Sequence, residues 1–208
     1  MDLLPFDPAH AAVVAGWAAS SREVAMWCGH RGFPLPPEVV AGWGTAGDVR
    51  ARMLVQEGTL LGYGELWIDE EAGEIELARI IVAPDARDRG IGRRLVRELT
   101  ALARLTGPAG EPGHTAIFMR VHPDNDRALR CYRQADFVPV GDGQAAQWNA
   151  GQPVEYVWLR YAGPGDAGPR DAEAEDAGSG SGGSGDAGSR DAGPEDIGAG
   201  DARSDDTV

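Results

Sequence analysis

The fold of this chain is decided by residues 74–105, EIELARIIVAPDARDRGIGRRLVRELTALARL. An apolar, strand-like run, Glu74–Val82, leads into a turn rich in arginine and glycine, and an amphipathic helix follows. The spacing Arg87-x-x-Gly90-x-Gly92 places two residues that lack a Cβ where the helix begins, so the main chain can approach a ligand closely. The free N–H groups at a helix start, together with the helix dipole, favour an anion there. This segment therefore predicts a phosphate cradle between the strand and the helix.

Two common phosphate-binding motifs do not fit this turn. A Walker loop needs Gly-Lys-Ser or Gly-Lys-Thr, which the chain lacks, and a dinucleotide fingerprint needs Gly-x-Gly-x-x-Gly beside the first strand of an alternating βα series. A purely structural role stays open, in which Gly90 and Gly92 only shape a tight turn and the arginines form a solvated face. In the cradle interpretation, formal positive charge comes from Arg87, Arg89, Arg93 and Arg94.

A second stretch, residues 122–137, reads HPDNDRALRCYRQADF and follows the turn by roughly thirty residues. Together with RDRGIG at residues 87–92, it resembles the two signature regions of the GNAT superfamily, the acetyl-CoA-dependent N-acyltransferases. Recognisable motifs span about residues 74–140, and the order of elements resembles the family over about residues 2–161. The resemblance rests on the strand end Ile80-Ile81-Val82 before the turn, and on Asn125, Ala128, Tyr132 and Asp136-Phe137.

The remaining periodicity predicts an α/β domain of layered elements. The GNAT resemblance implies a mixed, mostly antiparallel central sheet flanked by helices. It also implies that the sheet splays open beside the fourth strand to form the cofactor cleft. Strands are expected at about 2–6, 52–57, 60–68, 74–82, 115–121, 137–140 and 154–161, and helices at about 8–19, 21–28, 37–43, 91–106 and 125–135.

The chain divides by composition into a domain and a tail. Residues 1–161 can form one compact core, as expected of a domain of roughly 150 residues. Residues 162–208 are mainly Gly, Asp, Ala, Ser and Pro, with no Phe, Tyr or Trp. Such a segment cannot bury enough apolar surface to offset its ordering entropy, which predicts a disordered tail. We expect a solubilising segment; the alternative is an acidic arm that occupies a basic partner or the cradle.

Charge and composition limit the partners of this protein. The tail has 12 acidic and 3 basic residues, so it carries −9 of the formal net charge of −14. A net acidic chain argues against binding to nucleic acid or to an anionic membrane. No leading hydrophobic run resembles a signal peptide, so we expect a cytoplasmic protein. We expect this protein to be either a monomer or a homodimer. Two cysteines and four scattered histidines form no ligand cluster, so we expect no metal.

The GNAT resemblance implies acetyl-CoA as the acyl donor and gives roles to residues of both stretches. The main chain of Ile80, Ile81 and Val82 would hold the pantetheine arm and direct one N–H at the thioester oxygen. Asn125 would hydrogen-bond the same arm. The pyrophosphate would be held by the amides of Arg87, Asp88, Arg89, Gly90, Ile91, Gly92 and Arg93.

Tyr132 is the candidate general acid and a further cofactor contact. It follows Asn125 by seven residues, which is two helical turns along the same face. Its ordinary pKa near ~10 exceeds that of a departing thiol, so it can give up a proton to the developing thiolate. The alternative is a core tyrosine with a satisfied hydroxyl. The adjacent Cys131 could be a nucleophile, but no histidine is placed to pair with it, so a small buried residue is expected.

Glu76 in the fourth strand is the candidate general base, because some GNAT enzymes carry a catalytic glutamate at this position. Glu65 and Glu155 remain alternatives. Arg120 marks a departure from one subfamily, since ribosomal-protein N-terminal acetyltransferases have a glutamate there, five residues before the asparagine. That departure argues against transferring their base and their peptide substrate to this chain.

The GNAT resemblance, with these candidate residues, implies an N-acetyltransferase that moves an acetyl group from acetyl-CoA to a primary amine by direct attack in a ternary complex. The acceptor is expected to be a small-molecule or peptide amine. The alternative is a non-catalytic acyl-CoA-binding sensor or interaction module that kept the cradle and lost the acceptor chemistry. A cationic acceptor, such as a polyamine or an aminoglycoside-like antibiotic, would suit the acidic residues Glu65, Asp69, Glu70 and Glu71.

Overall fold

The computed structural model describes residues 1–106 and 116–163. Two 3₁₀ turns, Pro8–His10 and Pro84–Ala86, accompany the regular elements. No helix in these two ranges is long and apolar enough to cross a membrane. The strands are β1 Asp2–Pro5, β2 Val49–Gln56, β3 Thr59–Asp69, β4 Glu74–Val82, β5 Ala116–Val121, β6 Phe137–Pro139 and β7 Val157–Tyr161. The helices are α1 Ala11–Ala15, α2 Ser21–Cys28, α3 Pro37–Trp43, α4 Ile91–Thr106, α5 Asp126–Arg133 and α6 Asp142–Asn149.

The seven strands form one mixed sheet in the order β1-β2-β3-β4-β5-β7-β6. Neighbouring strands pair antiparallel except β4 and β5, which run parallel. That parallel pairing covers only residues 74–76 of β4 and 116–118 of β5. Beyond it, β5 continues beside β7, whereas residues 77–82 of β4 have no partner in β5. The expected α/β fold, with a mostly antiparallel sheet that splays open beside the fourth strand, is confirmed.

Helices cover both faces of the sheet because side chains alternate along each strand. On one face, which we call the α4 face, α4 and α5 pack on a core that includes Leu66, Leu77 and Met119. On the other, which we call the α1 face, α1, α2 and α3 pack around Tyr63 and Ile81. The opening between β4 and β5 therefore connects two differently lined sides of the sheet.

Two glycines of β3 allow α4 to approach the sheet closely. A Cβ at Gly62 would lie 2.9 Å from Leu95 Cδ2, and a Cβ at Gly64 would lie 2.7 Å from Leu99 Cδ1. Leu95 and Leu99 are fully buried against this part of the strand. Because protein interiors have little spare volume, a methyl group at either glycine would force the end of the facing leucine side chain to move.

A β-bulge interrupts β4 near its middle. The register shifts between Tyr63 and Glu65 on β3, so that two residues of β4, Arg79 and Ile80, stand opposite Gly64. Arg79 has a φ of 47°, a left-handed conformation that is unusual for a residue with a side chain. Because of this extra residue, Ile80 packs against the core of the α4 face, and the Arg79 side chain lies on the α1 face.

Four predicted elements have the expected bounds: the long β4 and α4, and the shorter α2 and α3. The helix expected at 8–19 is a 3₁₀ turn followed by the short α1, which ends at Ala15 before Gly16. The strand expected from residue 154 begins at Val157. Helix α6 was not predicted, because its polar sequence, DGQAAQWN, has no apolar period and buries no residue. The predicted tail, from residue 164 onward, lies outside the described residues.

Candidate active site

The turn between β4 and α4 leaves main-chain donors free at the start of the helix. Asp88 and Gly90 in this turn have φ angles of 60° and 79°. The first helical hydrogen bond joins the Arg94 N–H to the Gly90 oxygen over 3.1 Å. The amides of residues 91–93 therefore have no partner within α4. Such a helix start is suited to binding an anion, and the positive φ at position 90 favours glycine there.

Gly92 is constrained by packing rather than by its dihedral angles. A Cβ at this position would lie 3.2 Å from Cys131 Sγ and 3.7 Å from Val82 Cγ2. The start of α4 is thus packed between the end of β4 and helix α5. Burial raises the pKa of the Cys131 thiol, against a lowering effect of nearby arginines. The thiol is therefore held neutral, as expected of a small packing residue and not of a nucleophile.

Arg87 supports the turn through its own hydrogen bonds. Its guanidinium donates to the carbonyl oxygens of Trp17 at 2.7 Å and Val82 at 3.1 Å, and lies 3.6 Å from a Glu23 carboxylate oxygen. Its main-chain N–H donates to the Pro84 oxygen at 3.2 Å. Both groups that were expected to contact the cofactor are therefore used within the protein. The cradle at residues 87–93 stays a prediction, and within it residues 88–93 keep main-chain groups that are not used by Arg87's internal contacts.

The other charged side chains of the turn lie nearer to solvent. Arg89 and Arg93 are exposed and can approach an anion at the helix start. Arg94 is paired with an acidic side chain one turn further along α4, at 2.6 Å. The Asp88 carboxylate lies 2.8 Å from Arg127 of α5. Of the four arginines expected to add charge here, two are thus available for a ligand.

The free edge of β4 leads directly into this turn. Ile80, Ile81 and Val82 belong to the part of β4 that β5 does not cover, so their main-chain groups on that edge border the opening. Asn125 is the N-cap of α5, and its Oδ1 accepts a hydrogen bond from the Ala128 N–H at 3.1 Å. Because the oxygen caps the helix, the side-chain NH₂ group is the part of Asn125 that can donate to a ligand.

Tyr132 lies on the α4 face, two helical turns after Asn125, and is 9 % exposed. Burial raises the pKa of its hydroxyl above the ordinary value of 10, so the hydroxyl keeps its proton at neutral pH. Within residues 1–106 and 116–163, no acceptor is hydrogen-bonded to this hydroxyl. A protonated hydroxyl without an internal partner is able to donate to a ligand that reaches it.

Glu65 is buried on the α1 face with 0 % exposure. Its carboxylate accepts hydrogen bonds from the Tyr63 hydroxyl, from Trp67 Nε1 at 2.6 Å and from Arg79 Nη1 at 3.2 Å. Three donors satisfy the charge of a buried carboxylate. Glu65 is therefore a poor candidate for the general base, and Glu155 is exposed before β7.

Glu76 stands at the last paired position of β4 and β5, opposite Phe118. Its side chain is 20 % exposed, and its Oε1 lies 3.0 Å from Arg120 Nε. Burial raises the pKa of the Glu76 carboxyl, against the lowering effects of Arg120 and Arg79. Such a carboxyl at the point where the strands separate is suited to accept a proton, while the ion pair fixes its position.

Two arginines on the α1 face are stacked on aromatic rings close to these glutamates. The guanidinium carbon of Arg79 lies 4.4 Å from the ring centre of Trp43 and 4.9 Å from that of Trp67. The guanidinium carbon of Arg120 lies 5.4 Å from the Trp67 ring centre, and 5.6 Å from those of Tyr156 and Trp158. We call Glu65, Trp67, Glu76, Arg79 and Arg120 the acceptor-face cluster.

The sequence analysis missed Arg79 and Trp67 as members of a site. By strand alternation, Arg79 belongs with Ile75 and Leu77 on the α4 face, where an arginine would face the core. The bulge at Arg79 reverses that assignment, and Trp27 Nε1 holds the bulge by donating to the Arg79 oxygen at 2.8 Å. An arginine at a core position of an apolar strand was the available signal of the bulge.

The part of the chain that the structure describes contains no group of three His, Cys, Asp or Glu side chains that could hold a metal ion. The two carboxylates of the acceptor-face cluster are each paired with an arginine: Glu65 with Arg79, and Glu76 with Arg120. The described residues thus include a helix start suited to an anion, a protonated tyrosine hydroxyl without an internal acceptor, and a carboxylate paired with an arginine. These are the groups that an acyl transfer to an amine requires.

Comparison with known proteins gives two relatives that are named as acetyltransferases. The chain is 38% identical over 89 residues to N-alpha-acetyltransferase RimI of Mycobacterium tuberculosis, covering 40% of this chain and 49% of that protein. It is 40% identical over 94 residues to IAA acetyltransferase of Azospirillum brasilense, covering 45% and 58%. The chain thus spans about half the length of these curated relatives.

Similar folds occur among solved structures. The aminoglycoside acetyltransferase AAC(6')-Ib, in complex with paromomycin and acetyl-CoA, aligns with a TM-score of 0.58 at 21% identity, over 76% of this chain and 91% of that one. Spermidine N-acetyltransferase from Vibrio cholerae, in complex with CoA and spermine, aligns with a TM-score of 0.55 at 17% identity, over 76% and 92%. At these identities the likeness establishes the fold.

The family resemblance predicted from the two signature regions is confirmed. A family model described as the acetyltransferase (GNAT) family matches residues 25–137, which include β4, the turn, α4 and α5. This chain belongs to the GNAT family of acetyltransferases.

Proposed function

We propose that this protein is an N-acetyltransferase that moves an acetyl group from acetyl-CoA to a primary amine by direct attack in a ternary complex. The observation that carries the proposal is the opening between β4 and β5, which has free helix-start amides at one end and Glu76 at the other. Membership of the GNAT family and relatives named as acetyltransferases support it.

The residues at the cofactor end fit acetyl-CoA, which supplies the activated acyl group as a thioester. No side chain or distant main chain lies within 4 Å of a Cβ built at Gly90, so the helix start has open space in front of it. The amides of residues 88–93 would hold the pyrophosphate, assisted by Arg89 and Arg93. The free edge at residues 80–82 and the NH₂ group of Asn125 would hold the pantetheine arm.

The chemistry then depends on groups that this chain places on opposite faces of the sheet. Glu76, on the α1 face, would take the proton from the acceptor amine, directly or through water. One main-chain N–H of residues 80–82 would donate to the thioester oxygen. Tyr132, on the α4 face, would give its proton to the departing thiolate. The attacking amine and the departing thiolate thus have separate proton partners.

Amine-dependent release of CoA thiol by the full chain tests this proposal. Acetyl-CoA is mixed with a panel of small amines and short peptides, and the acetylated product is identified by mass. The proposal requires release that depends on an amine and yields that amine in acetylated form. Binding of acetyl-CoA without release for any member of the panel would instead indicate the non-catalytic acyl-CoA-binding module. A Gly92→Asp variant should lose binding and release together.

A further inference from the structure

The aromatic rings that could surround a cationic acceptor already hold guanidinium groups of the protein. Arg79 stacks on Trp43 and Trp67, and Arg120 stacks on Trp67 from β5. Glu65, which the sequence suggested as a negative charge for a cation, has 0 % exposure and three donors. The acceptor-face cluster thus offers a polyamine neither an empty aromatic cage nor an unpaired carboxylate.

The same cluster offers unused donors to an anion. A guanidinium has five N–H groups in a planar fork. Arg120 presents Nε to Glu76 at 3.0 Å, and no residue in the described ranges accepts a hydrogen bond from its Nη atoms. The side chain is 27% exposed and lies among aromatic rings. In such a half-buried setting, an arginine fork favours a carboxylate, which it binds through two parallel hydrogen bonds.

These donors lie where an acceptor has to meet the acyl group. β4 and β5 separate after Glu76 and Phe118, and Arg120 is two residues further along β5 on the same face. The ion pair therefore brings a positive fork and the candidate base together at the mouth of the opening. An acceptor that directs its amine at Glu76 and its anionic group at Arg120 must therefore carry its amine and its anionic group only a few bonds apart.

We propose that the acceptor is an amine that carries a carboxylate a few bonds away, as an amino acid does, and that Arg120 is the residue that selects it. This inference rests on the proposed function. The two glutamates of the acceptor-face cluster already balance the charge of its two arginines. A singly charged carboxylate therefore brings less unbalanced negative charge into the cluster than a doubly charged phosphate ester does. Arg79 is less able to select the acceptor, because it neutralises the buried Glu65.

Matched acceptors test the inference directly. The kcat/KM for CoA thiol release is measured for free amino acids and for their carboxamides, with polyamines and a phosphate-bearing amine in the same panel. The full chain should prefer carboxylates over the matching carboxamides by roughly 10-fold or more, the range for lost charge-assisted hydrogen bonds. Arg120→Gln should remove that preference, Arg120→Lys should keep part of it, and Arg104→Gln, an exposed charge on α4, should leave it unchanged.

The ratio between the two acceptor classes separates selection from a merely structural role. If Arg120 only holds Glu76 in place, Arg120→Gln will lower both activities equally, and the inference is overturned. Equal rates for carboxylates and carboxamides in the wild type, or a preference for polyamines or phosphates, would also overturn it while leaving the proposed function intact. Should no amine release CoA thiol, the proposed function fails, and calorimetric titration of the CoA-saturated protein with an amino acid and its carboxamide decides the inference.

Discussion

In the function we propose, main-chain groups form the cofactor end of the cleft, whereas side chains form the acceptor end. At the cofactor end, two glycines and a helix start present amides, and Arg87 is used for support. At the acceptor end, Glu76 and Arg120 hold each other beside stacked aromatic rings. Main-chain donors give the same site in any sequence that keeps the turn, while a side-chain network can change with the acceptor. The family signature therefore identifies the donor substrate better than it identifies the acceptor.

The largest expected effect comes from a charge at the cofactor end. Gly92→Asp places a Cβ 3.2 Å from Cys131 Sγ and a carboxylate at the helix start, where it repels a phosphate and occupies its donors. We expect acetyl-CoA affinity to fall by roughly 10³-fold or more, as for the loss of several charge-assisted hydrogen bonds. Calorimetric titration measures it, with Gly143→Asp on α6 as the matched control in open space. Affinity within a few-fold of wild type would place the phosphate site elsewhere.

The next effect separates chemistry from binding at Tyr132. Tyr132→Phe keeps the packing of the ring and removes the proton, so kcat should fall by roughly 10² to 10⁴ with little change in acetyl-CoA affinity. A hydroxyl that takes no part in the proton transfer would leave kcat near its original value when it is removed. Full turnover in the variant would therefore contradict the general-acid assignment.

A smaller effect, with a definite pH signature, is expected at Glu76. Burial holds the pKa of this carboxyl above its ordinary value of 4.5. The base form therefore accumulates only as pH rises through that raised pKa, and kcat/KM should increase with pH over the same interval. Glu76→Gln should lower kcat/KM by roughly 10- to 100-fold and abolish this acid limb. The pH profile of kcat/KM is best measured with an acceptor amine of low pKa. If the rise of kcat/KM with pH is unchanged in Glu76→Gln, another group is responsible for it.

The smallest effect concerns residues outside both ends of the cleft. Deleting residues 165–208 should leave the melting temperature and acetyl-CoA affinity almost unchanged, because their composition provides little apolar surface to bury. Differential scanning calorimetry and titration of the truncated chain measure both. A drop of several degrees, or about tenfold weaker binding, would show that the tail contributes to the domain or to its site.

The sequence carries a clearer local pattern for the turn between β4 and α4 than for the acceptor-face cluster, and the reason is physical. β4 and α4 are long periodic segments bounded by glycine and proline, and the turn between them depends on two glycines whose spacing is visible in the chain. The acceptor end depends on the bulge at Arg79, after which the side chains of β4 lie on the opposite faces to those expected from alternation. It also depends on ion pairs such as Glu76–Arg120, whose members are distant in sequence. The bulge leaves one local signal, an arginine at a core position of an apolar strand, and the ion pair leaves none. The polar helix α6 was missed because its sequence has no apolar period.

The central claim is that the acetyl group passes directly from the donor at the main-chain end to the amine at the side-chain end. The most direct test incubates the full chain with acetyl-CoA alone, follows CoA thiol and protein mass, and then adds a reactive amine. The account predicts no thiol release and no acetylated protein before the amine is added, and release with formation of acetylated amine afterwards. Release without amine, equal in amount to the protein and accompanied by an acetyl group on a residue such as Cys131, would contradict it.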